Sequence, residues 1–136
     1  MKTYIGTKIV NAEPSDAWQR FGAHAPDSPG YKVVYLDGYI SWSPKDTFEE
    51  VYREMSGLTF GMAIEAMRKG CKVARAGWNG KGMWLMLVLA ELADKVAFEY
   101  AALSALPWIG MKTADEKFVP WLASQTDMLA EDWFVV

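Results

Sequence analysis

The apolar residues change their spacing along this chain, and the change separates strands from helices. Short β-branched and aromatic runs occupy residues 4–12, 31–35 and 39–42, with Tyr4, Ile5, Ile9, Val10, Val33, Val34, Ile40 and Trp42 among them. Such composition predicts strands. Asp37-Gly38 falls between the second and third runs and reads as a hairpin turn. Residues 14–30 hold three prolines and predict a loop, with a short helical turn at residues 18–21. Ser43 is then placed to cap a helix with Pro44 at its first position and Phe48, Val51, Tyr52 and Met55 on one face. Ser56-Gly57 ends that segment.

A second segment opens with Thr59 as N-cap and an apolar stripe of Phe60, Ala63, Ile64 and Met67, closed by Lys69-Gly70. A short strand is expected over residues 71–74, a loop over 75–82, and a strand buried on both faces over 83–89. Leu92, Val96, Tyr100 and Leu103 predict a helix over 91–106, stopped by Pro107. Residues 108–113 and 117–122 predict a second hairpin around Ala114-Asp115-Glu116. Ser124 followed by Asp127 marks a helix start running to about residue 131, and residues 133–136 a closing strand. The pattern predicts an α+β fold: an antiparallel β-sheet with a few short helices (residues 57–136), preceded by a small ββα domain (residues 1–56).

Composition narrows the function. A formal charge of −3 opposes the broad phosphate contact of a DNA- or RNA-binding protein. The single Cys71 excludes an internal disulfide, and the single His24 stands far from any partner that would make a zinc site. No run is long and apolar enough for a membrane span or a signal peptide, so a soluble protein of the bacterial cytoplasm is expected.

The candidate chemistry lies in Gly77-Trp78-Asn79-Gly80-Lys81-Gly82-Met83-Trp84. Glycines allow close approach of backbone N–H groups to a ligand. Trp78 offers a stacking face, Asn79 a donor and acceptor for a base edge, and Lys81 a charge for a phosphate. Each has a plainer explanation: a tryptophan closing the loop, an Asn-Gly turn, a solvated lysine. Ser124, Gln125 and Thr126 sit at a helix start, where unpaired N–H groups attract anions, although Ser124 also serves as a cap. Asp127 is placed to bond a ribose hydroxyl, or simply to stabilise the first helical turn. Trp84 and Trp133 are assigned to the core. No His or Cys stands by Ser124 to activate it, and the acids show no metal-ligand spacing, so a binder of a small nucleotide is expected, not an enzyme. No cofactor is implied. A protein-interaction module with aromatic hot spots, or a hydrolase using a carboxylate pair, are the alternatives.

The second segment resembles the second Thoeris anti-defence family of phage proteins. The resemblance rests on Leu58-Thr59-Phe60-Gly61, on Val73-Ala74-Arg75 leading into the glycine loop, and on Met111-Lys112-Thr113-Ala114-Asp115. It extends through Val119-Pro120-Trp121-Leu122-Ala123-Ser124-Gln125-Thr126-Asp127-Met128-Leu129-Ala130-Glu131-Asp132-Trp133. This last motif is too long for chance. The hairpin departs from the family pattern, with Asp115-Glu116 in place of Asp-Gly, and another turn geometry is expected there. The resemblance implies a sponge that sequesters a cyclic ADP-ribose-type immune signal uncleaved, in some members also cyclic oligonucleotides, as a homotetramer with pockets between subunits. Residues 4–9 and 38–45 resemble a small domain of many phage proteins that carries no assigned role.

Overall fold

The structure, a computed structural model, describes residues 1–91 and 104–136. The helix expected over 91–106 falls largely outside the described residues. The chain forms two compact units, Met1–Arg53 and Glu54–Val136. Both are antiparallel sheets with short helices, so the α+β expectation holds. No helix among the described residues is long and apolar enough to cross a membrane.

The first unit is a three-stranded sheet, β1 (Asn11–Pro14), β2 (Gly30–Val34) and β3 (Ile40–Pro44), followed by α1 (Lys45–Val51). Asp37-Gly38 turns the β2–β3 hairpin: Gly38 takes φ +85° and the Asp37 carboxylate accepts from the Tyr39 N–H at 3.0 Å. The unit packs around Val33, Ala17 and Trp42. Trp42 lies so close over Gly30 that a Cβ there would meet its ring at 2.5 Å. Phe21 stacks on the same indole, with ring centroids 5.2 Å apart. On the other side Tyr31, Phe48 and Tyr52 stack at 4.2 and 4.8 Å.

Several expectations for this unit fail for one reason: pairing and packing override local preference. Residues 1–10 have no regular structure, and the first strand forms at Asn11–Pro14 because those residues face β2. No helical turn forms at 18–21. Phe21 and His24 instead exchange backbone hydrogen bonds around Gly22, which lets Phe21 reach Trp42. Ser43 and Pro44 belong to β3, opposite Tyr31 and Gly30, so Ser43 does not cap α1. The helix stops at Val51, which is half exposed, and Met55 is not on its face.

The second unit is a five-stranded antiparallel sheet of β4 (Val73–Arg75), β5 (Trp84–Val88), β6 (Trp108–Lys112), β7 (Phe118–Pro120) and β8 (Trp133–Val135). The strand order is β7–β6–β5–β4–β8. Helix α2 (Phe60–Arg68) is capped by Thr59, whose hydroxyl accepts from the Met62 N–H, and is terminated by Gly70 at φ +88°. Its buried Ala63, Ala66 and Met67 pack on Val73, Leu85 and Trp133 from the sheet. Helix α3 (Gln125–Leu129) begins with the expected capping box between Ser124 and Asp127. Trp133 is fully buried, as assigned. Trp84 is not in the core cluster: it is half-buried on the opposite face of the sheet, under the Lys72 ammonium at 4.3 Å.

The β6–β7 turn keeps a left-handed residue despite lacking glycine. Glu116 takes φ +63°, the conformation that glycine adopts without a Cβ penalty. Thr113 holds the turn by accepting from the Lys117 N–H at 3.0 Å and donating to Asp115. Glu116→Gly is therefore expected to stabilise the second unit by about 0.5–1 kcal/mol. Urea unfolding of the two proteins measures this, and a less stable glycine variant would show the turn to be unstrained.

Candidate functional site

The residues singled out in two distant stretches converge on one ion-pair cluster. Arg75 is the last residue of β4 and pairs with Trp133, so its side chain starts from the sheet and not from the loop as expected. Its guanidinium forks between two carboxylates. Nη1 donates to Asp127 at 2.8 Å and Nε to Asp132 at 2.9 Å. The Asp132 carboxylate also accepts from the Gly77 N–H at 2.7 Å. A Cβ on Gly77 would lie 2.8 Å from that oxygen, so a side chain there would push the carboxylate aside.

Asp127 is the hub. One carboxylate oxygen accepts from Arg75 and from the Trp78 indole N–H at 3.3 Å. The other accepts from the Ser124 N–H at 3.0 Å and the Ser124 hydroxyl at 2.7 Å. A carboxylate has about four acceptor positions, and all are used inside the chain. Asp127 thus holds the site together, and the ribose contact expected of it has no free lone pair. Its backbone carbonyl accepts from the Trp133 indole at 3.0 Å, which ties α3 to the core.

These contacts set the electrostatics. Burial opposes ionisation of Asp127, but hydrogen bonds from Ser124, Arg75 and Trp78 outweigh it and bring its pKa down to about 2. The Arg75 hydrogen bond, helped by the Gly77 N–H, likewise lowers Asp132. Both carboxylates raise Arg75 in return, Asp132 first.

Trp78 does not stand free in the loop. It is half-buried, with its ring edge-on to Trp133 at 5.5 Å and to Trp121 at 6.3 Å. Phe60 completes this aromatic group against Trp133 and Trp121. Trp78 is only partly buried, and it packs against the core cluster. Asn79 and Lys81 are exposed, as are Gln125 and Thr126, and none of these four side chains has a polar partner among the described residues. Gly80 lies against the Met83 side chain, and Lys112 donates to the Gly82 carbonyl at 3.2 Å. The fold therefore joins the loop carrying Asn79 and Lys81 to the helix start carrying Gln125 and Thr126. Sequence reasoning missed Arg75, Asp132 and Lys112 as the ties. The only signal was a set of charges flanking the motifs.

Two open concavities lie elsewhere. One of about 580 Å³ is lined by Glu54, Met55, Ser56, Phe134 and Val135. Another of about 430 Å³ lies in the first unit, against Tyr31, Lys45 and Glu49. Neither is lined by residues 77–82 or 124–127. Among the described residues no group of three or more His, Cys, Asp or Glu is placed to hold a metal ion.

Comparison with known proteins places the site in context. Residues 58–136 match the model of a family described as Thoeris anti-defense 2-like domain. The chain is also similar to "Thoeris anti-defense 2" of Bacillus phage SP01, 43% identical over 84 residues, covering 58% of this chain and 94% of that relative.

The depressed pKa of Asp127 makes stability depend on acid. An unfolded Asp gains its proton near pH 3.9, whereas folded Asp127 holds out to about 2. The unfolded state therefore binds more protons in this window, and stability falls as pH drops from about 5 towards 2, by about 2–3 kcal/mol from this group. Asp127→Asn should be less stable at pH 7 and lose less on acidification. Urea titrations at pH 7, 4 and 3 check this, and parallel losses in both proteins would reject the assignment.

Proposed function

Because the chain belongs to the Thoeris anti-defense 2-like family, we propose that it counters immunity by capturing a cyclic nucleotide signal and holding it intact. The relationship supports an anti-Thoeris role in phage infection. A cyclic ADP-ribose isomer is the ligand proposed, with cyclic oligonucleotides as a second class. One observation carries the reading: the Arg75–Asp127 bridge and the Trp78–Asp127 hydrogen bond join two stretches of exposed polar side chains that have no polar partner among the described residues. Asn79 and Gln125 suit a base edge. Lys81, the Thr126 hydroxyl and the glycine N–H groups suit phosphates. Trp78, only partly buried, suits a purine face.

The same residues argue for capture without cleavage. Ser124 is engaged with Asp127 in the capping box, and Asp127 is kept ionised and fully hydrogen-bonded, which suits neither a nucleophile nor a general acid at neutral pH. The capture site is completed between copies of the chain, in a homotetramer. Exposed Leu122, Met128 and Leu129 around α3 supply apolar surface for such a contact.

Incubation with the cyclic ADP-ribose isomer made by a Thoeris enzyme, removal of free nucleotide and heat release of the bound fraction test this directly. Recovery of the intact isomer is expected. A cleaved product would instead indicate a hydrolase, and no retained nucleotide a protein-interaction module. Lys81→Ala and Thr126→Ala should each weaken capture about tenfold, one charge-assisted or polar contact, with unchanged thermal unfolding. Wild-type affinity in both would remove these residues from the site. Trp78→Ala is a poorer probe, since it also opens the aromatic group with Trp121 and Trp133.

A further inference from the structure

Residues 77–82 contain three glycines, and glycine-rich backbone loses more conformational freedom on ordering than any other. A binding loop of this kind weakens its own affinity unless something orders it beforehand. The loop is tied at both ends. At its start the Gly77 N–H is held by Asp132 and the Trp78 indole by Asp127, and Arg75 bridges these two carboxylates. At its far end Lys112 holds the Gly82 carbonyl. Between these ties Asn79 and Lys81 remain exposed. The Arg75 side chain itself is only 13% exposed, with its charge directed at the two aspartates.

We propose that Arg75 is a positioning residue for capture: by bridging Asp127 and Asp132 it holds the glycine loop in its ligand-competent shape before ligand arrives, without touching the ligand. This inference rests on the capture reading above. A planar guanidinium reaches two carboxylates from fixed directions, which a lysine ammonium on a flexible stem does not reproduce. When the frame is loosened, the competent shape is populated only part of the time, and apparent affinity falls by that fraction. The loss then appears in association, because the contacts made after binding are unchanged. Loss of a direct ligand contact would appear in dissociation.

The test is stopped-flow binding of the cyclic ADP-ribose isomer to wild type, Arg75→Lys and Asp132→Asn, with far-UV circular dichroism and thermal unfolding of each protein. Amide exchange at Gly77 and Trp78 is followed without ligand. Asp132 is about one-third exposed, so Asp132→Asn keeps the fold and decides the matter if Arg75→Lys unfolds. Association should slow by about tenfold, with dissociation within about twofold of wild type, and both amides should exchange faster. Folded variants with wild-type association, or a loss confined to dissociation, would overturn the positioning role while leaving capture intact. A wild-type protein that retains no nucleotide overturns the capture reading, and the role of Arg75 with it.

Discussion

One guanidinium and two carboxylates set the geometry of the second unit. Arg75 leaves the end of β4, Asp127 the first turn of α3, and Asp132 the approach to β8. The end of β4 is thereby held within hydrogen-bond distance of two groups more than 50 residues further along the chain. Such a cluster is not a large source of net stability, because withdrawing charges from water offsets most of their attraction. Its importance lies in what happens when it is incomplete, since a buried carboxylate without its partner is strongly destabilising. The cluster therefore imposes an arrangement. It selects the one packing of loop, helix and strand in which every charge is paired.

The aromatic group serves the same end by different means. Trp133 is buried at the junction of α2 and the sheet, with Phe60, Trp78 and Trp121 around it at centroid distances of 5.4 to 6.0 Å. Ring contacts of this kind have preferred directions as well as area, and those of Trp78 and Trp121 on Trp133 are edge-on. Two of the indole N–H groups end on Asp127, one on its side chain and one on its backbone carbonyl. Apolar packing and the charge cluster thus meet at a single residue. A rigid base of this sort leaves the tip of the glycine loop and the start of α3 free to present polar groups outward.

The first unit has its own core around Val33 and Trp42 and lies outside the residues matched to the Thoeris anti-defense 2-like family. Five of its aromatic residues are used in packing, in the Tyr31–Phe48–Tyr52 stack and the Phe21–Trp42 stack. The residues proposed for capture belong to the second unit.

Much of this architecture was legible in the residues taken alone. Asp37-Gly38 specified its hairpin, Thr59 its cap, Gly70 its helix stop, and Ser124 with Asp127 a capping box, because each acts over three or four residues of chain. The loop around Trp78 and the helix start at Ser124 stood out as candidates for the same local reason. What the sequence could not determine was whatever depends on a distant partner. Strand β1 settled on Asn11–Pro14 and not on the more β-prone residues before it, since only β2 could decide the pairing. Ser43 was drawn into β3 by the residues opposite it. Asp127 changed from a ligand contact into the internal hub once Arg75, 52 residues away, was seen to reach it. Local hydrogen bonds and backbone angles are written in neighbouring residues. Charge pairing and strand register are settled only when the chain closes on itself, and it is these that assemble the site.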